Sequence, residues 1–449
     1  MSALPLRHAP AGRRPGFRPR LEALEDRLTP AATEAWVARY DGPATGTITN
    51  EDTAQAVAVD ASGNVYVSGT SEGNSPNGFS NWDYLTAKYD AAGNLLWTAR
   101  YDAGAYDFCY DMAIDADGNV YVTGASQPGD VNAPTDYLTV KYDTDGVQQW
   151  TARYATIGGD NPWDLEVDAN GDVYVTGQVQ PGGAFTPLQY LTVKYDTDDG
   201  TQSWAVGYAS PGSGGSAYGW DLAVDGSGNV YVTGSSQTNG MGTFPDYVTI
   251  KYNSIGVAQW TALYNGPMGG YDTAAAVGVD GSGNVYVTGS TAGYGGSSPG
   301  YLTVKYSSTG TQLWTASYPW GGGTPSAMAV DTAGNVFVVG TGGLVAYDTY
   351  GSQLWTGGGG RALALDASGN VYVTGSYQPG WSGTDYYTVK YNSSGTPVWG
   401  IGYNGTASDL DDAVAVAVDA SGNVYVTGQS FGTDLDAPDR DIVTIKYTQ

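Results

Sequence analysis

The residues in this chain with types and spacing suited to chemistry are aspartates at repeated positions. Asp111, Asp164 and Asp221 occupy equivalent places, four residues before Asp115, Asp168 and Asp225. If the fold brings these carboxylates to one opening, their oxygens could hold Ca²⁺, which takes six to eight oxygen ligands. They could equally accept hydrogen bonds from backbone N–H groups at strand ends, which the repetition favours. Asp111, Asp164 and Asp221 are therefore the candidate metal ligands, and no other cofactor is expected.

Tryptophans supply a second group of candidates, because an exposed indole offers a flat apolar face to a sugar or an aromatic group. Of the 13 tryptophans, eight recur at one repeat position and are expected in the core. Trp82, Trp320 and Trp381 stand in or beside long irregular connections, so they are the candidate ligand-binding residues. Trp163 and Trp220 each directly precede a candidate metal ligand, and this shared position indicates packing instead.

The sequence lacks the residues that several kinds of catalysis and metal binding require. His8 is the only histidine and Cys109 the only cysteine. Catalysis by Ser/His/Asp or Cys/His, and an intramolecular disulfide, are therefore not available beyond residue 33. We expect no catalytic residues, although a carboxylate-based polysaccharide-degrading enzyme stays an alternative because acidic pairs are plentiful. A segment around Trp355 faintly resembles quinone-dependent dehydrogenases, but without their adjacent cysteine pair.

The charge of the chain is strongly negative, at -27 for 449 residues. From residue 34 onward, 12 basic residues face 42 acidic ones, a net of -30. Such a field repels nucleic acid and anionic lipid. We expect no nucleic-acid partner, and the absence of any run of 18 apolar residues predicts no membrane-spanning segment. A glycan or a surface protein is the expected partner class, and the chain is expected to be a monomer.

The elements that would position these residues follow from a phrase that recurs along the chain, Asp-x-x-Gly-Asn/Asp-Val-Tyr/Phe-Val-x-Gly. Its copies recur at nearly regular intervals, apart from one shorter interval before the seventh copy, as expected for stacked supersecondary units. In the second unit, strands are predicted at 112–114, 119–123, 136–143 and 150–154, from period-two alternation and Gly-containing turns. The phrase begins at Asp60, Asp115, Asp168, Asp225, Asp280, Asp331, Asp366 and Asp419.

The two ends of the chain predict how the units close. Residues 441–447 read as a third strand with no fourth strand after it, and residues 36–40 read as a fourth strand with no unit before it. Pairing them would close a ring and remove free sheet edges. The sequence therefore predicts an all-β fold: an eight-bladed β-propeller over residues 34–449 with four antiparallel strands per blade, a seven-bladed one being the alternative.

The units are similar to the bacterial β-propeller repeat (SBBP-type) family. The resemblance rests on Tyr-x-Thr-x-Lys-Tyr, Gly-x-x-x-Trp and Asp-x-x-Gly-Asn-x-Tyr-Val-x-Gly, and it covers residues 34–449. It implies an extracellular or surface protein whose propeller is a module of unknown ligand, and the family name suggests seven blades. All seven lysines lie in third-strand segments of this kind, with Ile442 in place of the first Tyr at Lys446. We expect each ammonium to pair with a carboxylate or with carbonyls, and the repeat aspartates are the most plentiful partners.

The N-terminal segment, residues 1–33, differs from the rest in composition, being basic and Pro-rich. Residues 20–30, Arg-Leu-Glu-Ala-Leu-Glu-Asp-Arg-Leu-Thr-Pro, resemble the start of many planctomycete exported proteins. This resemblance implies that residues 1–33 are a disordered export or sorting segment. The expected location is extracellular or at the cell surface or envelope.

The connections of the predicted propeller differ between its two faces. The turns within the repeated phrase are short and alike, whereas residues 69–83, 124–136, 208–220 and 428–441 are long, varied and rich in Gly, Pro and Ser. Binding sites usually lie on variable loops carried by a rigid scaffold. We therefore expect an exported, non-catalytic surface or envelope binding scaffold, with an acidic Ca²⁺-binding structural protein as an alternative.

Overall fold

The fold is known from a computed structural model, and within its described residues the chain is all-β. No helix there has the length and apolar character of a membrane span. The structure describes residues 32–42, 50–74, 80–130, 132–211, 214–237, 244–266, 269–291, 300–318, 322–377, 384–405, 410–431 and 439–449.

The strands are numbered in chain order. The first sixteen are β1 (Thr33–Tyr40), β2 (Asn50–Val59), β3 (Val65–Asn74), β4 (Ser80–Tyr89), β5 (Leu95–Tyr101), β6 (Asp107–Ile114), β7 (Val120–Ser126), β8 (Asp136–Tyr142), β9 (Gln148–Tyr154), β10 (Asn161–Val167), β11 (Val173–Val179), β12 (Gln189–Tyr195), β13 (Gln202–Tyr208), β14 (Ala217–Val224), β15 (Val230–Ser236) and β16 (Asp246–Tyr252). The others are β17 (Ala258–Tyr264), β18 (Asp272–Val279), β19 (Val285–Thr291), β20 (Gly300–Tyr306), β21 (Gln312–Tyr318), β22 (Pro325–Val330), β23 (Val336–Gly340), β24 (Gly343–Tyr347), β25 (Gln353–Gly357), β26 (Ala362–Leu365), β27 (Val371–Tyr377), β28 (Asp385–Tyr391), β29 (Pro397–Tyr403), β30 (Asp411–Val418), β31 (Val424–Phe431) and β32 (Asp439–Thr448).

Consecutive strands pair antiparallel in groups of four, which we number as units along the chain. Unit 1 is β2 to β5, unit 2 is β6 to β9, and the pattern continues to unit 7, β26 to β29. Unit 8 combines β30, β31 and β32 with β1 from the start of the chain. The first strands contact one another in the order β2, β6, β10, β14, β18, β22, β26 and β30, and β30 also contacts β2.

The repeated phrase forms a tight turn that joins the first and second strands. In unit 2, Asp115 Oδ1 accepts hydrogen bonds from the backbone N–H groups of Asp117 and Asn119, at 3.0 and 2.9 Å. Gly118 has a φ of +85°, which a residue without a Cβ adopts easily. Tyr121 Oη donates to Asp115 Oδ2 at 2.9 Å. The aspartate thus connects the turn to the second strand.

The repeated tryptophan of the fourth strand links each unit to the next. Trp97 Nε1 donates to the carbonyl oxygen of Thr144 in the following unit, at 3.0 Å. Lys88 donates to the same carbonyl at 3.0 Å, and its ammonium lies 4.9 Å from the centre of the Tyr66 ring. The lysines are thus paired within the structure as expected, but turn carbonyls are more frequent partners than the repeat aspartates. A turn carbonyl and a ring face offset the desolvation instead, although Lys194 does bond to an aspartate.

The pairing of the chain ends agrees with the sequence prediction. β1 pairs antiparallel with β32, with Trp36 opposite Lys446. The strand starts at Thr33, and Ala32 before it is only 2% exposed, so the last two residues of the predicted leader, 32 and 33, belong to the described structure. The remaining residues of the predicted leader, 1–31, lie outside the described part of the chain.

Candidate functional site

The first strands share a local irregularity that decides which side chains they present. In seven of them the register shifts near the middle of the strand, so that two residues oppose one on the second strand. Such a β-bulge re-aims the side chain of the extra residue. In units 2, 3 and 4 this bulge residue is aromatic, and in the other units with a bulge it is not. The bulge residues are Gln55, Tyr110, Trp163, Trp220, Ala275, Ser326 and Val414.

The three aromatic bulge residues form a continuous group, which we call the aromatic arc: Tyr110, Trp163 and Trp220. The ring centroids of Tyr110 and Trp163 are 4.9 Å apart, and those of Trp163 and Trp220 are 5.5 Å apart. Tyr218 stacks on Trp220 with ring planes 7° apart. All of these side chains are half-buried. The interpretation of Trp163 and Trp220 as packing residues is thus correct in part, because they pack on each other yet keep exposed surface.

The indole nitrogens of the arc are unusual. Nε1 of Trp163 and Nε1 of Trp220 are buried, and neither has a hydrogen-bond acceptor within the described part of the chain. A buried donor without a partner costs about 1–3 kcal/mol. Because Nε1 is covered, whatever these indoles present to solvent is carbon. The arc therefore offers an apolar ring surface.

Each aromatic residue of the arc is followed directly in the sequence by an aspartate, so three carboxyl groups lie next to the three rings. Asp164 Oδ2 accepts a hydrogen bond from the backbone N–H of Leu222, in the first strand of the next unit, at 2.7 Å. The same contact recurs in units 2 and 4, so each carboxyl joins its first strand to the next. The other two pairs are Asp111 with Leu165 at 2.9 Å and Asp221 with Val277 at 2.6 Å. We call Asp111, Asp164 and Asp221 the acid row.

Burial is the main cause of the pKa shifts of the three aspartates in the acid row. It raises the pKa of Asp111 and of Asp221 well above the usual value, and the neighbouring Asp164 charge raises both further. Burial also raises the pKa of Asp164. Glu166, two residues beyond, accepts from the backbone N–H of Val224 at 2.8 Å, and burial followed by the Asp164 charge raises its pKa to about 8. The row thus holds neutral carboxyl groups more readily than ordinary aspartates do.

The other units carry small residues at the places of the acid row. Alanine takes the aspartate position in units 1, 5, 6, 7 and 8, and alanine or glycine takes the Glu166 position in all of the other units. The first strands therefore present large aromatic and acidic groups together only in units 2, 3 and 4. At the aspartate position these alanines are Ala56, Ala276, Ala327, Ala362 and Ala415.

The most compact carboxylate groups lie elsewhere than the acid row. Within the described residues, two sets have ligand oxygens all within 4.8 Å of one another: Asp41 with Asp52 and Asp441, and Asp83 with Asp102 and Asp107. In the second set, Arg100 bonds to Asp83 at 2.6 Å, and Arg39 bonds to Asp441 in the first. A guanidinium thus offsets part of each negative charge. Sequence spacing does not reveal these two sets, because the partners of Asp52 and Asp107 come from other strands.

Of the predicted ligand-binding tryptophans, Trp82 can be placed. It lies on β4 opposite Glu72 of β3, so this part of the expected loop 69–83 is a strand. The Trp82 ring is half-buried, 6.3 Å from the ring of Phe108 on β6, and Phe108 stacks on Tyr106 at 6.1 Å. Trp320 and Trp381 lie outside the described residues.

An exposed aromatic residue stands on a connection between the second and third strands of unit 3. Phe185 is fully exposed, and it is the only non-glycine residue within the described ranges with a positive φ, at +73°. A cavity of about 290 Å³ lies beside it, lined by Pro181, Thr186, Leu188 and Ser210 among others. A strained, exposed aromatic side chain is typical of a contact surface.

Comparison with known proteins confirms the resemblance to the β-propeller repeat family. The family model described as "Beta-propeller repeat" (SBBP) matches residues 96–127 and 206–240. Each match runs from the fourth strand of one unit through the second strand of the next. These segments are thus copies of a β-propeller repeat.

Two curated relatives are similar over part of their length. The "Uncharacterized WD repeat-containing protein L264" of Acanthamoeba polyphaga mimivirus is 25% identical over 87% of this chain, and the chain covers 29% of it. The "Regulatory protein FlaEY" of Caulobacter vibrioides is 27% identical over 29% of this chain, which covers 14% of that protein. The chain therefore spans less than a third of the length of either relative.

Solved structures are similar in fold alone. The polysaccharide lyase Uly1 is 11% identical with a TM-score of 0.51, covering 91% of both chains. Sqt1 from Chaetomium thermophilum is 11% identical with a TM-score of 0.52, covering 92% of this chain and 99% of the other. At this level of identity, the likeness supports an all-β, propeller-like fold and says nothing of activity.

Proposed function

We propose that this chain, which carries SBBP β-propeller repeats, is an eight-bladed propeller closed by its N-terminal strand. It is exported and acts as a non-catalytic binding scaffold at the cell surface or envelope. The observation that carries the proposal is the contrast between its two faces. The turn face holds the connections after first and third strands, and the loop face holds all others.

The turn face repeats one geometry, whereas the loop face varies from unit to unit. Asp60 N bonds to Asn64 O at 3.0 Å, and the same turn recurs after the first strand of every unit. On the loop face the connections differ in length and carry Phe185 and the 290 Å³ cavity, and Trp82 lies near the start of β4, which begins at this face. A scaffold that keeps one face constant and varies the other is suited to binding.

Eight blades in a closed ring are supported by the contacts of the first strands. They follow one another from β2 to β30, and β30 touches β2 again. β1 completes the sheet of unit 8, and Arg39 on β1 bonds there to Asp441 and to Ser430 Oγ. Closure of this kind leaves no long unpaired sheet edge.

The first experiment determines where the protein acts. Cells producing the full chain are fractionated, and intact cells are treated with protease before immunoblotting. We expect the chain in the envelope fraction and accessible to protease, and a variant lacking residues 20–30 retained inside the cell. A full-length chain found only in the soluble interior would overturn the proposed location.

The second experiment tests the loop face as the binding face. Purified chain is incubated with isolated cell envelopes, and the bound fraction is measured. Phe185→Ser should bind at least several-fold less. Tyr350→Ser is the matched control, because Tyr350 is 82% exposed on the turn face. Equal loss in both variants, or no binding by the unmodified chain, would contradict the proposal.

A second candidate function is Ca²⁺ binding in an acidic structural protein. It is favoured by the two carboxylate sets around Asp52 and Asp107, in which Oδ1 of each is buried. Calcium should then raise the melting temperature, and chelation should lower it. Asp102→Asn should weaken this effect, whereas Asp117→Asn on the turn face should not. An unchanged melting temperature with and without the ion excludes this role.

A further inference from the structure

We propose that the aromatic arc and the acid row together form a binding site for a neutral sugar unit. The inference rests on the proposed role as a binding scaffold and names the ligand class. The site comprises the rings of Tyr110, Trp163 and Trp220 and the carboxyl groups beside them. It lies on the first strands of units 2, 3 and 4, within the ring that the first strands form.

The fold itself does not require these aromatic residues. The same bulge forms in units 1, 5, 6 and 8, where the bulge residue is Gln55, Ala275, Ser326 or Val414. The unpaired Nε1 atoms of Trp163 and Trp220 moreover cost stability. An arrangement that the scaffold can do without, and that destabilises it, indicates a role outside folding.

The acid row is equally dispensable to the scaffold. Alanine occupies its position in the other five units, so the contact from a carboxyl to the next strand is absent there. Units 5 and 6 still pack their first strands against each other. Aromatic and acidic side chains at these positions are therefore confined to three adjacent units.

The chemistry of the site matches a sugar ring. The arc presents carbon surface that extends over three rings, with centroid steps of 4.9 and 5.5 Å. The C–H face of a sugar packs on such rings, as aromatic side chains bind apolar surfaces. Each ring directly precedes a carboxyl group, and a carboxyl group hydrogen-bonds to hydroxyls. An apolar wall with a few placed polar groups is typical of small-molecule sites.

Charge selects a neutral ligand. The chain carries -27, so an anionic sugar is repelled. A cation would need carboxylate oxygens free to surround it, but Oδ2 of each acid-row residue already accepts a backbone N–H from the next unit. The remaining oxygen of each carboxyl group can hydrogen-bond to a sugar hydroxyl. The site is therefore better suited to a neutral polyol than to an amine.

The test measures binding of defined probes to the full chain by calorimetry. The probes are neutral cello-, xylo- and chito-oligosaccharides, an anionic alginate oligosaccharide, and choline as an aromatic-binding cation. Trp163→Ala and Trp220→Ser introduce the residues that units 5 and 6 already carry at this position, so both variants should fold. Ser326→Ala, at the same bulge in unit 6, is the matched control.

We expect at least one neutral oligosaccharide to bind to the unmodified chain. Its affinity should be at least tenfold weaker in both tryptophan variants and unchanged in Ser326→Ala. Unchanged binding in the tryptophan variants, preference for choline, or no binding of any neutral probe would overturn the inference. Phe185-dependent binding to envelopes would still support the proposed function in that case. Sugar release during the titration would instead contradict its non-catalytic part.

Discussion

Asp164 Oδ2 accepts a 2.7 Å hydrogen bond from the backbone N–H of Leu222, which belongs to the next unit along the chain. This bond joins the first strands of two neighbouring units through a side chain. It occurs in series with the equivalent bonds of Asp111 and Asp221. Units 2 to 5 are thus connected in series by three carboxyl groups, and burial raises the pKa of each.

Stability should fall as the pH rises from about 4.5 to 8, through Glu166. Burial raises its pKa to about 8 in the folded chain, above its ordinary value of 4.5. The folded state therefore keeps a proton that the unfolded state releases in this window, and each tenfold difference in proton affinity corresponds to about 1.4 kcal/mol. Urea unfolding at pH 5 and pH 8 should show a larger loss for the unmodified chain than for Glu166→Gln, which retains an acceptor for Val224 N. Equal losses would refute this assignment.

Removal of the indole N–H should have different consequences at two core tryptophans. Trp150 Nε1 donates to Thr197 O at 3.0 Å, whereas the buried Nε1 of Trp399 has no acceptor in the described part of the chain. Both side chains are buried. Trp150→Phe loses a hydrogen bond and should cost about 1 kcal/mol more than Trp399→Phe. Denaturant midpoints of the two variants check this, and a greater cost at Trp399 would contradict it.

Trp399 lacks a partner for a topological reason. The other repeated tryptophans donate to the turn that joins the third and fourth strands of the next unit, as Trp97 does to Thr144 O. In unit 8 the third strand is β32 and the fourth is β1, which pair although they come from opposite ends of the sequence. The turn that would accept from Trp399 is therefore missing from this unit. Gln449 takes over part of the role there, accepting from Lys390 and donating to Tyr372 Oη.

Phe185→Asn should stabilise the protein. Phe185 is held at φ +73°, where asparagine is tolerated better than a bulky residue. Its side chain is fully exposed, so little packing is lost. We expect a gain of about 0.5–1 kcal/mol, measured as an increase in melting temperature. Val147→Asn, at an exposed position of a turn, is the control and should not stabilise; a loss in Phe185→Asn would contradict the strain argument.

Deletion of residues 1–40 should destabilise the whole chain and promote association. Without β1, the edge of β32 is left unpaired, and such an edge pairs with other chains. Deletion of residues 1–31 keeps β1 and serves as the control. Light scattering and thermal melting should separate the two truncations. A monomeric chain of unchanged stability after loss of residues 1–40 would argue against closure by β1.

The amino-acid sequence by itself determined the strands, the turns and the composition of each unit. These features are local: alternation over a few residues sets a strand, and an aspartate with a glycine three residues later sets a turn, as at Asp115 and Gly118. The pairing of the N-terminal strand with the last unit also followed from the sequence, because an incomplete unit at one end matched a spare strand at the other.

The tertiary structure alone decided which distant residues meet. Tyr110, Trp163 and Trp220 belong to three successive units and are far apart in sequence, and they touch because each lies on a bulge of adjacent first strands. A bulge adds one residue to a strand and so changes which side chains share a face, and strict alternation does not predict it. For the same reason the sequence favoured packing for Trp163 and Trp220, whereas packing between units brought them together as a half-exposed surface beside the acid row.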